Sequence, residues 1–148
     1  MGVQISGSLQ HAKQLIERLK AHKDKAVYVG FPAEFDQKVA GSENFNMASL
    51  AAVLEFGNEH IPSRPFLRQT LAENQEKYTA LFVQLFERGL ALDQIYEQIA
   101  LVAQGDVQLN IAKGNWIANA PATIKRKKSS KPLIDTGKMR QSVKGIVK

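Results

Sequence analysis

The sequence predicts an α+β fold: a small, mainly antiparallel sheet of about three strands packed against a long helical hairpin and shorter helices. Two observations carry this. Short alternating or β-rich runs lie toward the two ends of the 148 residues, and a continuous run of helical patterns fills the middle. Strands that are few and clustered, with helices in a block, fit α+β better than a strictly alternating α/β order. The length suits one domain spanning 1–148.

Each element has a local reason. Val3-Gln4-Ile5-Ser6 alternates apolar and polar, as a short strand does. Ser8 can cap a helix from about Leu9 to His22, in which Leu9, Ala12, Leu15, Ile16 and Leu19 form one apolar stripe. Ala26 to Phe31 is rich in β-branched and aromatic residues and reads as a strand that Pro32 stops. Residues 33–46 lack periodicity and read as a flexible surface loop. Asn46 can cap a helix over Met47–Glu55, and Gly57 follows it as a helix-ending glycine.

Ile61-Pro62-Ser63-Arg64-Pro65-Phe66 cannot be regular helix, because each proline biases its predecessor toward extended backbone. A long helix is expected from about Pro65 to Arg88, with an apolar face of Leu67, Leu71, Tyr78, Leu81, Phe82, Leu85 and Phe86. A second is expected from Leu92 to about Asn115, packing through Ile95, Ile99, Val102, Val107, Leu109 and Ile111. Residues of about 117–134 read as a basic arm, and Trp116 as a core anchor at its base. Asp135-Thr136-Gly137 reads as a turn in which Gly137 is free to take positive φ, and Asp135 or Thr136 can cap a single helical turn through Gln141. Met139 and Val143 should face the sheet, and Val143 to Val147 forms the last strand.

Charge is distributed unevenly. The chain carries +6 overall. Residues 1–110 hold 10 Lys and Arg against 13 Asp and Glu, a balance of −3; residues 111–148 hold 10 against Asp135 alone, a balance of +9. That asymmetry suggests an acidic partner for the C-terminal segment, either a protein face or nucleic acid. Within it, Lys125, Arg126, Lys127, Lys128 and Lys131 admit three readings: a solvated loop, an arm that orders against an acidic neighbour, or contact with phosphates. The run lacks interleaved aromatics, which disfavours base stacking.

Chemistry-bearing patterns are sparse. With no cysteine, disulfides, thiolate metal sites and a Cys nucleophile are excluded. His11, His22 and His60 lack metal-ligand spacing and read as surface imidazoles. Glu55 and Glu59 are separated by Gly57 and do not read as an acid–base pair. Ser49, Ser63 and Ser142 have no nucleophile-elbow context, and no glycine-rich phosphate loop is present. The expectation is a non-enzymatic protein without cofactor, metal or small-molecule substrate. No apolar run reaches the ~18 residues of a membrane span, and no secretory signal pattern is visible at the N-terminus.

Three segments, taken in order, resemble one family. They are Ala51-Ala52-Val53-Leu54-Glu55-Phe56-Gly57 with Ile61-Pro62-Ser63-Arg64-Pro65-Phe66-Leu67-Arg68; Ala120-Pro121-Ala122-Thr123 with the basic run behind it; and Lys131-Pro132-Leu133-Ile134-Asp135-Thr136-Gly137-Lys138-Met139-Arg140-Gln141-Ser142-Val143. Together they are similar to the head–tail joining and tail-completion (neck) proteins of tailed phages and prophages, over roughly residues 47–148.

The resemblance implies a small α+β subunit without catalysis that forms a homo-oligomeric ring, commonly six-fold, in the virion neck. It would be assembled in the host bacterial cytoplasm beside other head, connector or tail-tube proteins, in reach of packaged DNA. Candidate interface residues are Arg64, Phe66, Arg68, the basic run, Asp135, Thr136, Gly137 and Arg140. Arg64 and Arg68 are either solvated arginines of a stiff connector, or partners of Glu55, Glu59 or a neighbouring subunit. A nucleic-acid-binding module using the basic arm is the alternative.

Overall fold

The computed structural model describes residues 8–36, 38–39, 45–113 and 137–148. In chain order the elements are α1 (Ser8–Ala21), β1 (Val27–Gly30), a 3-10 turn (Ala33–Phe35), α2 (Met47–Phe56), α3 (Phe66–Glu73), α4 (Gln75–Glu87), α5 (Leu92–Lys113), α6 (Lys138–Ser142) and β2 (Lys144–Val147). The class is α+β, as expected. The expected strand at 3–6 and the arm at 117–134 lie outside the described residues, and the described sheet has two strands rather than three.

The central helix α5 organises the rest. Leu92, Ile95, Ala100, Ala103, Val107 and Ile111 are buried at helical spacing, so one face of the helix is core along its whole length. Leu109, expected to pack, lies off that face and is half exposed. On one side α5 meets α3 and α4; on another it meets β1, β2 and α6. The main cluster joins Val107 and Ile111 to Met47, Ala51, Phe66, Met139 and Val143. Met139 and Val143, expected to face the sheet, are buried in this cluster, against which Val29 of β1 packs. Phe31 meets Phe66 edge-on, with ring centroids 6.3 Å apart.

β1 and β2 pair antiparallel with Val27 opposite Val147 and Gly30 opposite Lys144. Backbone bonds between Ala26 and Lys148 extend the ladder by one pair. The sheet lies close on α5 because position 145 has no side chain: a Cβ on Gly145 would overlap the Ala100 carbonyl. α5 also satisfies backbone groups of its neighbours. Gln104 Oε1 accepts from Gly145 N at 2.9 Å, and Gln108 Nε2 donates to Arg140 O at 3.1 Å.

The single helix expected over 65–88 is broken at Asn74, whose φ of −108° and ψ of 9° leave the helical region. Asn74 Nδ2 donates to Thr70 O at 2.8 Å, the carbonyl that also takes Asn74 N. Local side chain–backbone bonding of this kind competes with helix continuation. Asn110 Nδ2, reaching across from α5, donates to Thr70 Oγ1 at 2.7 Å and ties the break to the central helix. Gly89, at φ 83°, then turns the chain into α5.

The loop expected over 33–46 contains order where it is described. The 3-10 turn is followed by an antiparallel bridge between Lys38 and Asn46. Asn46 Oδ1 accepts from Ser49 N at 2.9 Å, the cap foreseen for α2, and Asp36 Oδ1 accepts from Ala48 N at 3.2 Å. Residues 37 and 40–44 lie outside the described set.

Between α4 and α5, Tyr78 donates to Asp106 Oδ2 at 2.9 Å, and Lys77 bonds both Asp106 oxygens at 2.8 Å. Burial, then the hydrogen bond to Asp106, pushes the Tyr78 hydroxyl well above its ordinary value. A raised folded-state value favours folding below the unfolded tyrosine's titration, and that contribution drains away as pH rises beyond ~10. Stability should therefore fall with pH above ~10, and Tyr78→Phe should make that slope shallower by up to about one proton per molecule. Chemical denaturation across pH 8–11.5 measures it; parallel slopes in the two proteins would contradict the assignment.

Candidate functional site

The motif that carries the family resemblance folds into one locked corner. α2 ends at Phe56, and Gly57 takes φ 72°, a left-handed value that suits glycine. Space is also closed there, because a Cβ would stand 2.7 Å from Ile61 O and from Ser63 N. Asn58 Oδ1 accepts from His60 N and Ile61 N at 2.8 Å each, which folds the tip back. Arg64 N then donates to Leu54 O at 2.7 Å, laying the connector against the helix it has just left.

Glu55 is the keystone. The residue is only 3% exposed, and its carboxylate is bonded from three sides. It accepts from Leu67 N at 2.9 Å, Arg68 N at 3.0 Å and Arg68 Nε at 3.0 Å. The first two are first-turn amides of α3 without an intrahelical partner, so a side chain from α2 caps α3. Negative charge there also complements the positive end of the helix dipole. The Glu55 carbonyl takes Ser63 Oγ at 2.7 Å and Arg68 Nη2 at 3.2 Å. The pairing of Arg68 with Glu55 is the one of the alternatives that the fold selects.

The candidate residues separate into inside and outside. Phe66 is fully buried and Arg64 is 4% exposed, so both belong to the interior of the protein rather than to its surface. Arg64 is not the solvated arginine that one reading expected; burial pushes its guanidinium below its ordinary value. Arg68 is outside: it is 59% exposed and lies over the Phe56 ring, 5.0 Å from its centroid. Phe56 is itself 67% exposed. Arg68 and Phe56 thus form a rigid, outward-facing cation–π pair braced from beneath by a buried carboxylate.

Gly137, at φ 75°, starts α6 in the left-handed region as the turn reading required, and Arg140 is exposed on that helix. Lys125, Arg126, Lys127, Lys128, Lys131, Asp135, Thr136 and Trp116 lie outside the described residues.

His11 and His60 are exposed. His22, also read as a surface imidazole, is instead half-buried. Its Nε2 lies 3.1 Å from Asp93 Oδ1 and its ring 6.3 Å from that of Tyr96. Lys25 Nζ reaches the same Asp93 oxygen at 2.6 Å and holds that carboxyl below the usual carboxylate range, with His22 adding to the effect. Among the described residues no group of three or more His, Cys, Asp or Glu is placed to hold a metal ion, and no helix is long and apolar enough to cross a membrane.

Sequence reasoning missed Phe56, which lies one residue beyond the helix expected over Met47–Glu55 and drew no role of its own. The α1 residues were read as one apolar stripe, with no partner assigned to it. In the folded chain Leu9 is 70%, Ile16 48% and Leu19 43% exposed.

The fold and this corner define a small α+β protein built on one central helix, with a braced surface corner at the end of α2. No family model, curated protein or solved structure matches the chain.

Proposed function

We propose that this chain is a structural subunit of the tailed-phage neck, acting in virion assembly by ring formation and by joining head to tail. In this reading it completes the tail through docking, without catalysis, cofactor or small-molecule substrate. It works in the virion after assembly in the bacterial cytoplasm. Its neighbours are copies of itself and other head, connector or tail-tube proteins, with non-specific contact to packaged DNA open to the basic arm.

The observation that carries the reading is the corner built by Leu54-Glu55-Phe56-Gly57 and Pro62-Ser63-Arg64-Pro65-Phe66-Leu67-Arg68. The two halves of the motif behind the resemblance are physically one unit, and what they present outward is a preorganised Arg–aromatic pair. Arginine and aromatic anchors are the residue types that dominate protein–protein contacts.

Sedimentation and electron microscopy of the full chain test the reading. A closed ring is expected, and a monomer at every accessible concentration would count against it. Deletion of 124–131 should leave the unfolding midpoint unchanged while abolishing the joining of purified heads and tails; joining at the wild-type yield would remove the arm from the mechanism.

The +9 balance of residues 111–148 favours one second reading, a nucleic-acid-binding module. Submicromolar duplex affinity near physiological salt, falling steeply as salt rises, would support it over the first.

A further inference from the structure

α1 is tied to the body near its C-terminal end. Arg18 Nη2 donates to Leu90 O at 3.3 Å and its guanidinium lies over Phe86; just beyond the helix, His22 and Lys25 hold Asp93. The N-terminal half stands clear, with every residue from Leu9 to Gln14 exposed. Along that free side Leu9, Lys13, Ile16 and Lys20 follow one another at intervals of four, three and four residues, so they form a single row. Glu17 falls off the row.

A second apolar surface lies between the 3-10 turn, α5 and β2. It is a hollow whose lining includes Glu34, Phe35, Glu97, Leu101, Ile146 and Lys148. Phe35 is 50% and Leu101 61% exposed. Glu97 stands one helical turn before Leu101, and Glu34 adjoins Phe35, so two carboxylates flank the apolar floor against one ammonium, that of Lys148. Since Leu9, Ile16, Phe35 and Leu101 all remain about half exposed or more, the row and the hollow do not cover each other within one chain.

We infer that α1 of one copy docks its Leu9–Ile16 row into the Phe35–Leu101 hollow of a second copy, with Lys13 and Lys20 facing Glu97 and Glu34. The inference rests on the ring reading and specifies its contact. Charge selects the occupant. Two α1 rows brought together would oppose Lys13 and Lys20 to their like, and two hollows would oppose their carboxylates; only row to hollow brings opposite signs together. Such a contact joins two different faces, so each copy offers one to either side, and the assembly grows head to tail and closes into a ring where the rotation between copies permits.

The absence of native cysteine makes a clean test possible. Ile16→Cys and Leu101→Cys proteins are oxidised alone, then mixed in equal amounts, and a double variant is oxidised alone. The expected result is an inter-chain disulfide in the mixture and none from either single variant by itself. Lys13→Glu with Lys20→Glu should abolish that link, and Glu34→Lys with Glu97→Lys in the other partner should restore it. All four charge changes fall on exposed residues, and unfolding midpoints check that the fold is kept.

Three results would overturn the inference: self-linking of Ile16→Cys, a link closed within one chain of the double variant, or no link in the mixture. If the mixture fails to link while sedimentation still shows a ring, this contact is wrong and the ring reading stands. If it fails and the protein is a monomer, both fall.

Discussion

Glu55→Ala should lower the stability of the protein by about 3–4 kcal/mol, because two amides at the start of α3 lose their acceptor at roughly 1–3 kcal/mol each. For a chain of this size that corresponds to a midpoint roughly 10 °C lower. Three bonds to the carboxylate disappear together, from Leu67 N, Arg68 N and Arg68 Nε. Two are amides at the start of α3, which lose their only side-chain acceptor in a place water reaches poorly. Glu55→Gln retains one acceptor oxygen but turns an NH2 toward at least one donor, so it should fall between Glu55→Ala and the natural protein.

Arg68→Ala should cost only about 1 kcal/mol, because the guanidinium is largely exposed and such pairs are screened. Thermal and chemical denaturation of the three variants give the order. If Arg68→Ala proved as costly as Glu55→Ala, the ion pair and not the helix cap would be what holds the corner.

Gly145→Val should destabilise by about 3 kcal/mol, near the top of the usual range for overpacking. Its first added atom already collides with the backbone of Ala100, and backbone cannot rotate away as a side chain can. β2 would have to lift from α5, stretching the bond between Gly145 N and Gln104 and loosening Val143 in the core. Gly30→Ala is the control, on the partner strand: an added Cβ there meets nothing within 4 Å, and little change is expected. Equal effects at the two positions would mean that strand propensity, rather than the approach of sheet to helix, sets the cost.

Several elements were legible from local chemistry alone. The Asn46 cap, the Gly57 stop, the proline-stiffened connector and the left-handed Gly137 follow from what those residue types do to their own backbone. The buried face of α5 followed from periodicity, which records a helix that packs along one side. The break at Asn74 was not legible. It depends on Asn110, 36 residues later, holding the Thr70 side chain while Asn74 claims the Thr70 carbonyl.

In the candidate site the pairing of Glu55 with Arg68 was foreseen as one option, but its capping of α3 was not, because it requires the connector to fold back on α2. The exposure of the α1 stripe was equally hidden: an apolar stripe reports that a helix packs on something, and not that the partner is in the same chain.

The amino-acid order by itself determined most helix and strand boundaries, the break at Asn74 excepted, and which faces of them are apolar. Those properties depend on backbone preference and on spacing over a few residues. Tertiary structure alone decided which apolar faces became interior. It placed Arg64 and Phe66 inside while leaving Phe56, Ile16 and Leu101 at the surface, because burial depends on which distant segments converge on α5 and fill the space beside it. Residues with equal claim to the core by their own chemistry were sorted by the geometry of that one helix and the limited area around it.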